Sequence, residues 1–433
     1  MLEKLFHLKK HKTNIKTEFV AGLTTFLTMS YVLAVNPNVL GVTGMDKGAI
    51  FVSTCVAAIV GTLIMALVAN WPVGLAPGMG LNGFFAYTVV VAMGYSWQQA
   101  LGAVFVSGII FLILTIIGAR KWITDGVPQS LRRAITAGVG LFLAIIALKN
   151  AGIIEANNTT LVTLGNIAHT GPLLTISALL LITILNFWRV KGAIFLGIGA
   201  VTIISFFLQP QTFTPLLQNG FVSLPPSIAP TFLQLDILGA LHIGIGHVLL
   251  IFVLVELLDA TGSLISVGMT GNLLEPGKPN KLNRALFADS CAIVAGSLIG
   301  TSSTTAYVES SSGIEEGGKT GLTALFVAFF FFLALFFAPL ILAIPATATS
   351  AALLFIGCLM VKQLAHVDWK DLTEAIPVSL TAMMMPMTYS IANGLAFGFI
   401  SYTILKIFTG QAKCLKLPTV VIAILFIIRY IVE

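Results

Sequence analysis

Charge is the property that this sequence has least of. Only 9% of its 433 residues are charged and 57% are hydrophobic, whereas soluble domains carry roughly 25% charged residues. A soluble globule of this composition could not cover its surface with polar groups, and a disordered chain would be far less apolar. The composition predicts an all-α polytopic membrane protein, in which runs of about 20 apolar residues cross the bilayer as helices.

Cysteine and catalytic motifs are scarce as well. The four cysteines have no spacing typical of a metal site or a disulfide framework. The sequence contains no P-loop, HExxH or GxSxG motif. We therefore expect no catalytic residues, no metal and no cofactor, and not an enzyme. Without a nucleotide motif, transport would depend on an ion gradient or be passive.

Apolar runs divide the chain into two series of seven. They are predicted at about 17–36, 49–69, 73–93, 99–118, 132–149, 172–187 and 191–208, and again at about 240–264, 283–300, 303–315, 320–343, 349–366, 371–388 and 390–409. The predicted organisation is an N-terminal segment (1–16), a first repeat (17–208), an external linker (209–239), a second repeat (240–409) and a C-terminal segment (410–433). The last apolar stretch is short for a span and is expected to lie in the interface.

The basic residues give the orientation. With the N-terminus inside, all but Lys47, Lys149 and Arg429 of the 23 basic residues fall in loops on the inner side. Cytoplasmic loops carry such an excess. The pattern predicts fourteen spans with a cytoplasmic N-terminus, and it explains the positive net charge without nucleic acid as a partner.

Seven spans per half place the halves in opposite orientations, which predicts a 7+7 inverted repeat. In such transporters the site lies at mid-membrane between broken helices in matching places. The third span (71–87) contains Pro72, Pro77 and four glycines, and the tenth (300–313) is a dense run of Ser and Thr. Neither stretch is expected to form a regular, uninterrupted helix, so we predict that the two helix breaks lie in these stretches.

Buried carboxylates are the main candidates for chemistry. Glu256 and Asp259 lie three residues apart in the eighth span, and Glu309 lies in the tenth. An ionised side chain at mid-membrane costs about 2.5–3.5 kcal/mol, so such residues tend to bind substrate or carry protons. No lysine or arginine is an evident partner in these spans. Pairing with a neighbouring helix is the structural alternative, most of all for Glu256.

Polar and aromatic residues at the breaks are the other candidates. Asn82 offers a donor and an acceptor, which suits a neutral heterocycle, although it could instead cap a half-helix. Gly80 lies beside it, and Phe84 and Tyr307 flank the two breaks, where they could stack on a flat ligand. Asp289 and Glu18 lie near the inner ends of their spans, where a structural role is favoured.

Four segments carry a resemblance to a known family. They are TEFVAGLTTFLTMSYVLAVNP (17–37), APGMGLNGFFAY (76–87), VELLDATGSL (255–264) and GTSSTTAYVESSSGIEEGGKTGLTA (300–324). The sequence resembles, from about 14 to 410, the AzgA-like purine permeases of the nucleobase:cation symporter type two superfamily. The resemblance implies fourteen spans in a 7+7 repeat, a core domain moving against a gate domain, and proton symport of free nucleobases.

The resemblance also assigns roles to residues. It implies base binding by Asp259, Glu309 and Asn82, with Glu256 at a further polar position, and proton coupling among the three carboxylates. GMGLN at 78–82 resembles the guanine/hypoxanthine type rather than the adenine type. We therefore expect import of guanine and hypoxanthine by proton symport across the bacterial inner membrane.

Two alternatives stay open. One is an adenine permease of the same family, and the other is an anion transporter or channel on the same fold, which would need a basic residue or exposed helix N-termini in the site. The expected partners are a purine base, protons and the lipid bilayer. The sequence leaves the oligomeric state open, a homodimer included.

Overall fold

The computed structural model describes residues 2–208, 210–213, 216, 220–242, 246–273 and 280–432. Ten helices in this part of the chain are long and apolar enough to cross a membrane, and three shorter apolar helices accompany them. Large apolar side chains such as Phe187, Phe207 and Phe408 are more than 70% exposed, as expected for surfaces that face lipid. The chain is thus a mostly helical polytopic membrane protein.

The first half of the chain is helical apart from three short strands. Its helices are α1 (Leu2–Phe6), α2 (Ile15–Met29), α3 (Val32–Leu40), α4 (Lys47–Ile64), α5 (Met79–Gly83), α6 (Trp97–Ile116), α7 (Ala119–Gly126), α8 (Gln129–Asn150), α9 (Thr170–Phe187) and α10 (Ala193–Leu208). A π-helix, Phe84–Ala92, continues α5. Its strands are β1 (Leu75–Pro77), β2 (Ile154–Asn157) and β3 (Leu161–Leu164).

The described part of the second half has one strand, β4 (Thr304–Ala306). Its helices are α11 (Ile237–His242), α12 (Gly246–Thr270), α13 (Asn280–Ile299), α14 (Ser310–Glu315), α15 (Gly321–Ala334), α16 (Ala338–Leu342), α17 (Ala346–Val361), α18 (Leu372–Met387), α19 (Ile391–Phe408) and α20 (Leu417–Val432). The predicted linker, 209–239, lies partly outside the described residues.

Local sequence signals explain where helices begin and end. Helix α6 begins with a capping box, in which the Ser96 hydroxyl accepts from the Gln99 N–H and the Gln99 side chain accepts from the Ser96 N–H. It ends before Gly118, whose φ of +76° suits glycine. The hydrogen bonds of the capping box satisfy backbone N–H groups that are otherwise unpaired at the start of a helix. After the turn at Gly118, α7 begins at the next residue.

The two predicted breaks are present, but they are not simply unwound helix. Strands β1 and β4 pair antiparallel, with Leu75 opposite Ala306 and Pro77 opposite Thr304. A second hairpin, β2–β3, lies between α8 and α9. The expectation of an all-α protein is therefore wrong in detail. The backbone groups at each break form hydrogen bonds with the other break, so that they do not have to line a cavity.

The helices pack in two groups. Helix α13 packs on α4 and α6, and α15 packs on α2 and α4; in the second group, α8 packs on α17 and α18, and α18 on α19. Helix α12 contacts both α6 and α13 of the first group. The paired strands lie in the first group, so the breaks are built on one packing unit and face the other.

Two basic residues that were expected in inner loops are buried. Arg120 is 1% exposed and Lys406 is 3% exposed. Arg120 forms an ion pair with Asp289 and Lys406 forms one with Glu374, so neither is a solvated loop charge. Both residues lie at the ends of apolar runs, where the sequence predicts charged residues to be in loops.

Candidate functional site

The site is organised by the crossing of β1 and β4. The Gly78 N–H donates to the Ser303 carbonyl (2.8 Å) and the Tyr307 hydroxyl donates to the Pro77 carbonyl (2.6 Å). A Cβ on Gly78 would lie 2.9 Å from the Thr305 side chain, so glycine allows the two chains to approach. The Gly/Pro-rich and Ser/Thr-rich compositions that predicted the breaks are thus explained by a close crossing of two extended segments.

Glu309 follows this crossing and precedes α14. Its Oε1 accepts a hydrogen bond from the Tyr31 hydroxyl (2.9 Å), and its carbonyl accepts from the Thr28 hydroxyl (3.4 Å). Both partners belong to the first span. The carboxylate is therefore oriented by a residue of the opposite half of the chain.

Asp259 lies in the wall of a small cavity. The cavity is lined by one residue of α5, three of α8, three of α12 and one of α17: Gly80, Ile135, Thr136, Val139, Val255, Leu258, Asp259 and Met360. It measures about 30 Å³, room for about two water molecules. Ligand pockets are roughly 300–1,000 Å³. The walls must therefore separate before a ligand of ordinary size can enter.

Asp259, Glu309 and Tyr307 are brought together. Asp259 and Glu309 are close enough to act on each other electrostatically, and both act on Tyr307. No lysine or arginine lines the cavity in the described part of the chain. Asp259 at the cavity and Glu309 near it provide acceptors for N–H groups when ionised and donors when protonated.

Asn82 lies behind the cavity wall, fully buried. Its Nδ2 donates to Asn36 Oδ1 (2.6 Å), and its Oδ1 accepts from the Ser302 hydroxyl. Asn36 in turn donates to Thr54 and Thr301, so its oxygen must be the acceptor. This network fixes the orientation of the Asn82 amide and links both halves of the chain across the break.

Glu256 lies away from the cavity wall and is fully buried. Neither of its oxygens has a hydrogen-bond partner, and neither has the nearby Ser303 hydroxyl. The groups that act on it electrostatically are Asp289 and Arg120. The structure therefore brings Glu256 together with that ion pair rather than with Asp259 and Glu309.

Phe84 and Gly80 differ in their position. Phe84 is fully buried, and its ring packs edge-on against Phe252 with centroids 5.1 Å apart, so it offers no face to a flat ligand in this conformation. Gly80 lines the cavity, and a Cβ there would lie 2.6 Å from Val139. Glycine at this position lets the two packing groups meet.

A match to a family model shows to which family the chain belongs. The model named Xan_ur_permease, described as "Permease family", matches residues 16–426. The chain belongs to the Xan_ur_permease family. Adenine permease AdeP of Escherichia coli is 45% identical over 100% of this chain and 96% of its own length. Guanine/hypoxanthine permease PbuO of Bacillus subtilis is 42% identical over 98% of this chain and 99% of its own.

Solved structures support the fold of this permease. The transmembrane domain of the cyanobacterial bicarbonate transporter BicA has a TM-score of 0.63 at 16% identity, over 89% of this chain and 97% of its own. The anion transporter Slc26a9 of mouse, in an inward-facing state, has a TM-score of 0.63 at 12% identity, over 92% of this chain and 69% of its own. At such identities the likeness concerns the fold alone.

Sequence reasoning about the permease missed the residues that the second packing group contributes. Thr136 and Val139 of α8 and Met360 of α17 face Asp259 across the cavity. Thr136 is the one polar residue in the apolar stretch 134–148 of α8, and its hydroxyl already donates to the Arg132 carbonyl (3.2 Å). No motif marks these residues, since only the packing of α8 against α12 and α5 brings them to the site.

The two packing groups of the permease are also bonded beyond the cavity, toward the end of α8. Asn150 Nδ2 donates to the Tyr87 hydroxyl (2.9 Å), and the Thr88 hydroxyl donates to the Tyr389 carbonyl (3.1 Å). Tyr87 and Thr88 continue the first break, whereas Asn150 and Tyr389 belong to the other group. These contacts close the site from one side of the molecule.

Proposed function

We propose that this protein imports purine nucleobases by proton symport. The observation that carries the proposal is that Asp259 lines a cavity without a basic residue and has a second acidic side chain, Glu309, within electrostatic range, in a chain of a permease family. Two such groups can share the tasks of accepting from a ring N–H and of donating a bound proton. Loss of that proton to the inner side would remove a donor and release the base.

The topology that we propose is fourteen spans in a 7+7 inverted repeat, with the N-terminus cytoplasmic and the protein in the bacterial inner membrane. The antiparallel pairing of β1 with β4 supports it, since the two breaks occupy matching places in the two halves. In the proposed division, the group that carries the breaks is the core domain, and the group formed by α8–α10 and α17–α19 is the gate domain.

The proposed substrates are guanine and hypoxanthine. The network of Asn36 and Ser302 leaves the Asn82 amide with one N–H uncommitted, and Ser302 takes one of the two acceptor positions of its oxygen. A spare donor matches the O6 acceptor of a 6-oxopurine and does not match the amino group of adenine. Because Asn82 is buried, it contributes this donor only when the cavity opens.

Adenine is the competing substrate. Relatives named adenine permease are 45% and 44% identical to this chain, whereas relatives named guanine/hypoxanthine permease are 42% and 40% identical. These identities do not separate the two classes, so the amide orientation at Asn82 is the argument for the 6-oxopurines. An anion substrate is disfavoured, since no basic residue lines the cavity in the described ranges.

Uptake in a host that lacks nucleobase transporters tests the proposal. Labelled hypoxanthine should accumulate, and unlabelled guanine and hypoxanthine should compete better than adenine, uracil or xanthine. A protonophore should abolish accumulation whether or not sodium is present. Best competition by adenine would replace the substrate, and accumulation that needs sodium but survives the protonophore would replace the coupling ion.

The role of Asn82 has its own variant. Asn82→Thr removes the spare amide donor, and uptake of hypoxanthine and guanine should fall more than any residual uptake of adenine. The same competition assay measures this. An unchanged order of preference would show that Asn82 only holds the two halves of the break together.

A further inference from the structure

Arg120 begins the segment that joins the two packing groups. It is the second residue of α7, and α7 is the short connector between α6 of the first group and α8 of the second. When α8 moves relative to α6, the connector α7 must change its position or conformation to follow it. The contacts of α7 therefore decide how the connector is held.

One guanidinium attaches the start of the connector to three helices of the first group. Arg120 Nε donates to the Thr261 hydroxyl on α12 (2.9 Å), and Nη1 donates to the Leu286 carbonyl on α13 (3.1 Å). Its Nη2 lies 3.6 Å from Asp289 Oδ2, and its Cζ lies 4.2 Å from the centre of the Phe111 ring on α6. Such a multiply bonded, stacked arginine has little freedom.

Asp289 extends this attachment to the second break. Its Oδ1 accepts from the Ala306 N–H (3.0 Å) and the Thr305 hydroxyl (3.2 Å), both in β4. β4 leads directly into Tyr307 and Glu309. Thr261 lies two residues after Asp259 on α12. Arg120 is thus bonded, directly or through Asp289, to the two elements that carry the acidic groups of the site.

The other end of the connector is held by the C-terminal helix. The Gly126 carbonyl accepts from the Thr419 hydroxyl (2.6 Å), and the Asp125 carbonyl accepts from Lys416 Nζ (2.6 Å). A Cβ on Gly126 would lie 2.3 Å from Pro418. Helix α20 packs in turn on α19 of the second group. The connector is therefore fastened to both groups, at opposite ends.

We infer that Arg120 is a positioning residue for transport: it fixes the connector to the elements that carry Asp259 and Glu309, so that the gate moves against a fixed site. The inference rests on the proposed division into core and gate. It assigns Arg120 no contact with the substrate, since the residue does not line the cavity.

The decisive variant removes the attachment without leaving a buried charge unpaired. Arg120→Met alone strands Asp289, and a stranded charge disturbs β4. The double variant Arg120→Met/Asp289→Asn keeps an oxygen for the Ala306 N–H and carries no charge. We expect its affinity for labelled hypoxanthine to stay within threefold of the wild type, while its maximal transport rate falls at least tenfold. Arg120→Lys, which keeps the charge but not the fork, should give an intermediate rate.

The matched control is another ion pair, Lys406–Glu374, which lies wholly within the second group and in which Lys406 is buried and the Glu374 side chain is 22% exposed. Lys406→Met/Glu374→Gln should transport at a rate within threefold of the wild type. An equal loss in both double variants would show that any buried pair is needed for folding and would overturn the inference. A normal transport rate in Arg120→Met/Asp289→Asn would also overturn the inference. The same holds if the affinity of this variant for hypoxanthine falls as much as its transport rate.

A readout without substrate separates this inference from the proposed function. In a background without the four native cysteines, Thr136→Cys places a thiol in the cavity wall, where an impermeant maleimide reports opening. Releasing the connector should speed its labelling at least threefold in Arg120→Met/Asp289→Asn. Thr261→Val, which removes only one partner of Arg120, serves if the double variant does not fold and should speed labelling by a smaller factor. Unchanged labelling in the folded variant would refute the inference.

Discussion

Glu374 and Asp259 are both acidic residues on apolar helices, and their surroundings are opposite. Glu374 accepts from Lys406 Nζ (2.8 Å), from the Ser130 hydroxyl (2.5 Å) and from the Tyr402 hydroxyl (3.3 Å). Asp259 faces a cavity and has an acidic neighbour, Glu309, instead of a cation. The first carboxylate is saturated by bonds that join α8, α18 and α19, whereas the second is available to a ligand or a proton.

The presence or absence of a cation partner distinguishes structural from functional carboxylates better than burial does. A buried ion pair with its hydrogen bonds satisfied fixes helices relative to one another, and breaking it is costly. A buried carboxylate without a cation is costly to keep in a membrane span, which makes it a candidate for binding substrate or protons. Asp289 has a cation partner, Arg120, at 3.6 Å, whereas Asp259, Glu309 and Glu256 form no ion pair among the described residues.

The largest effect should come from Asp259→Asn. The amide cannot take up or release a proton, so uphill accumulation should be lost, while exchange of labelled for unlabelled base at equal concentrations should continue. Accumulation and exchange in the same vesicles measure both. Normal accumulation would mean that Asp259 does not carry the coupled proton, and the comparison with Glu374 would then lose its main support.

Glu309→Gln should have the next largest effect. The amide keeps the shape and still accepts from Tyr31, but it places an N–H where a base N–H needs an acceptor. A buried donor left unpaired costs roughly 1–3 kcal/mol, or about 5- to 150-fold in affinity, and we expect at least a tenfold loss.

Equilibrium binding of labelled hypoxanthine to purified protein measures that loss. Glu374→Gln is the control, since it makes the same chemical change in a saturated carboxylate. It should lower thermal stability and leave the affinity within twofold of the wild type. Near-normal binding by Glu309→Gln would show that Glu309 is structural.

Tyr31→Phe should have the smallest effect. It removes the hydroxyl that orients Glu309 (2.9 Å) and leaves the ring in place. One neutral hydrogen bond is worth about 1 kcal/mol, so the dissociation constant for hypoxanthine should rise about fivefold. A loss as large as that of Glu309→Gln would place Tyr31 in direct contact with the base.

The sequence predicted the parts of this site that depend on local composition. Proline and glycine at 71–87 and the Ser/Thr run at 300–313 located both breaks, because neither stretch can form a regular apolar helix. Asp259 and Glu309 were evident because ionised groups are rare in apolar runs. The presence of broken elements and the positions of their carboxylates thus follow from short-range patterns.

The rest depends on contacts between distant residues. Tyr31 and Glu309 are 278 residues apart, and no local signal pairs them. Arg120 fitted the excess of inner positive charge, so its partner Asp289 could not be recognised. Thr136 is ordinary in an apolar helix, and only the closure of α8 on α12 gives it a place at the site.

The pairing of β1 with β4 has a consequence for biosynthesis. Pro77 and Tyr307 are 230 residues apart, and translation at about 5–20 residues per second separates their appearance by roughly 10–50 seconds. During that interval Leu75 can bond to the Thr62 hydroxyl, but the Gly78 N–H and the Pro77 carbonyl lack the partners that they have in the fold. Each unpaired group would cost several kcal/mol in hydrocarbon. The early segment must therefore wait beside the insertion machinery or in a wet interface. The nascent chain completes its mid-membrane crossing only after the second repeat begins to emerge from the ribosome.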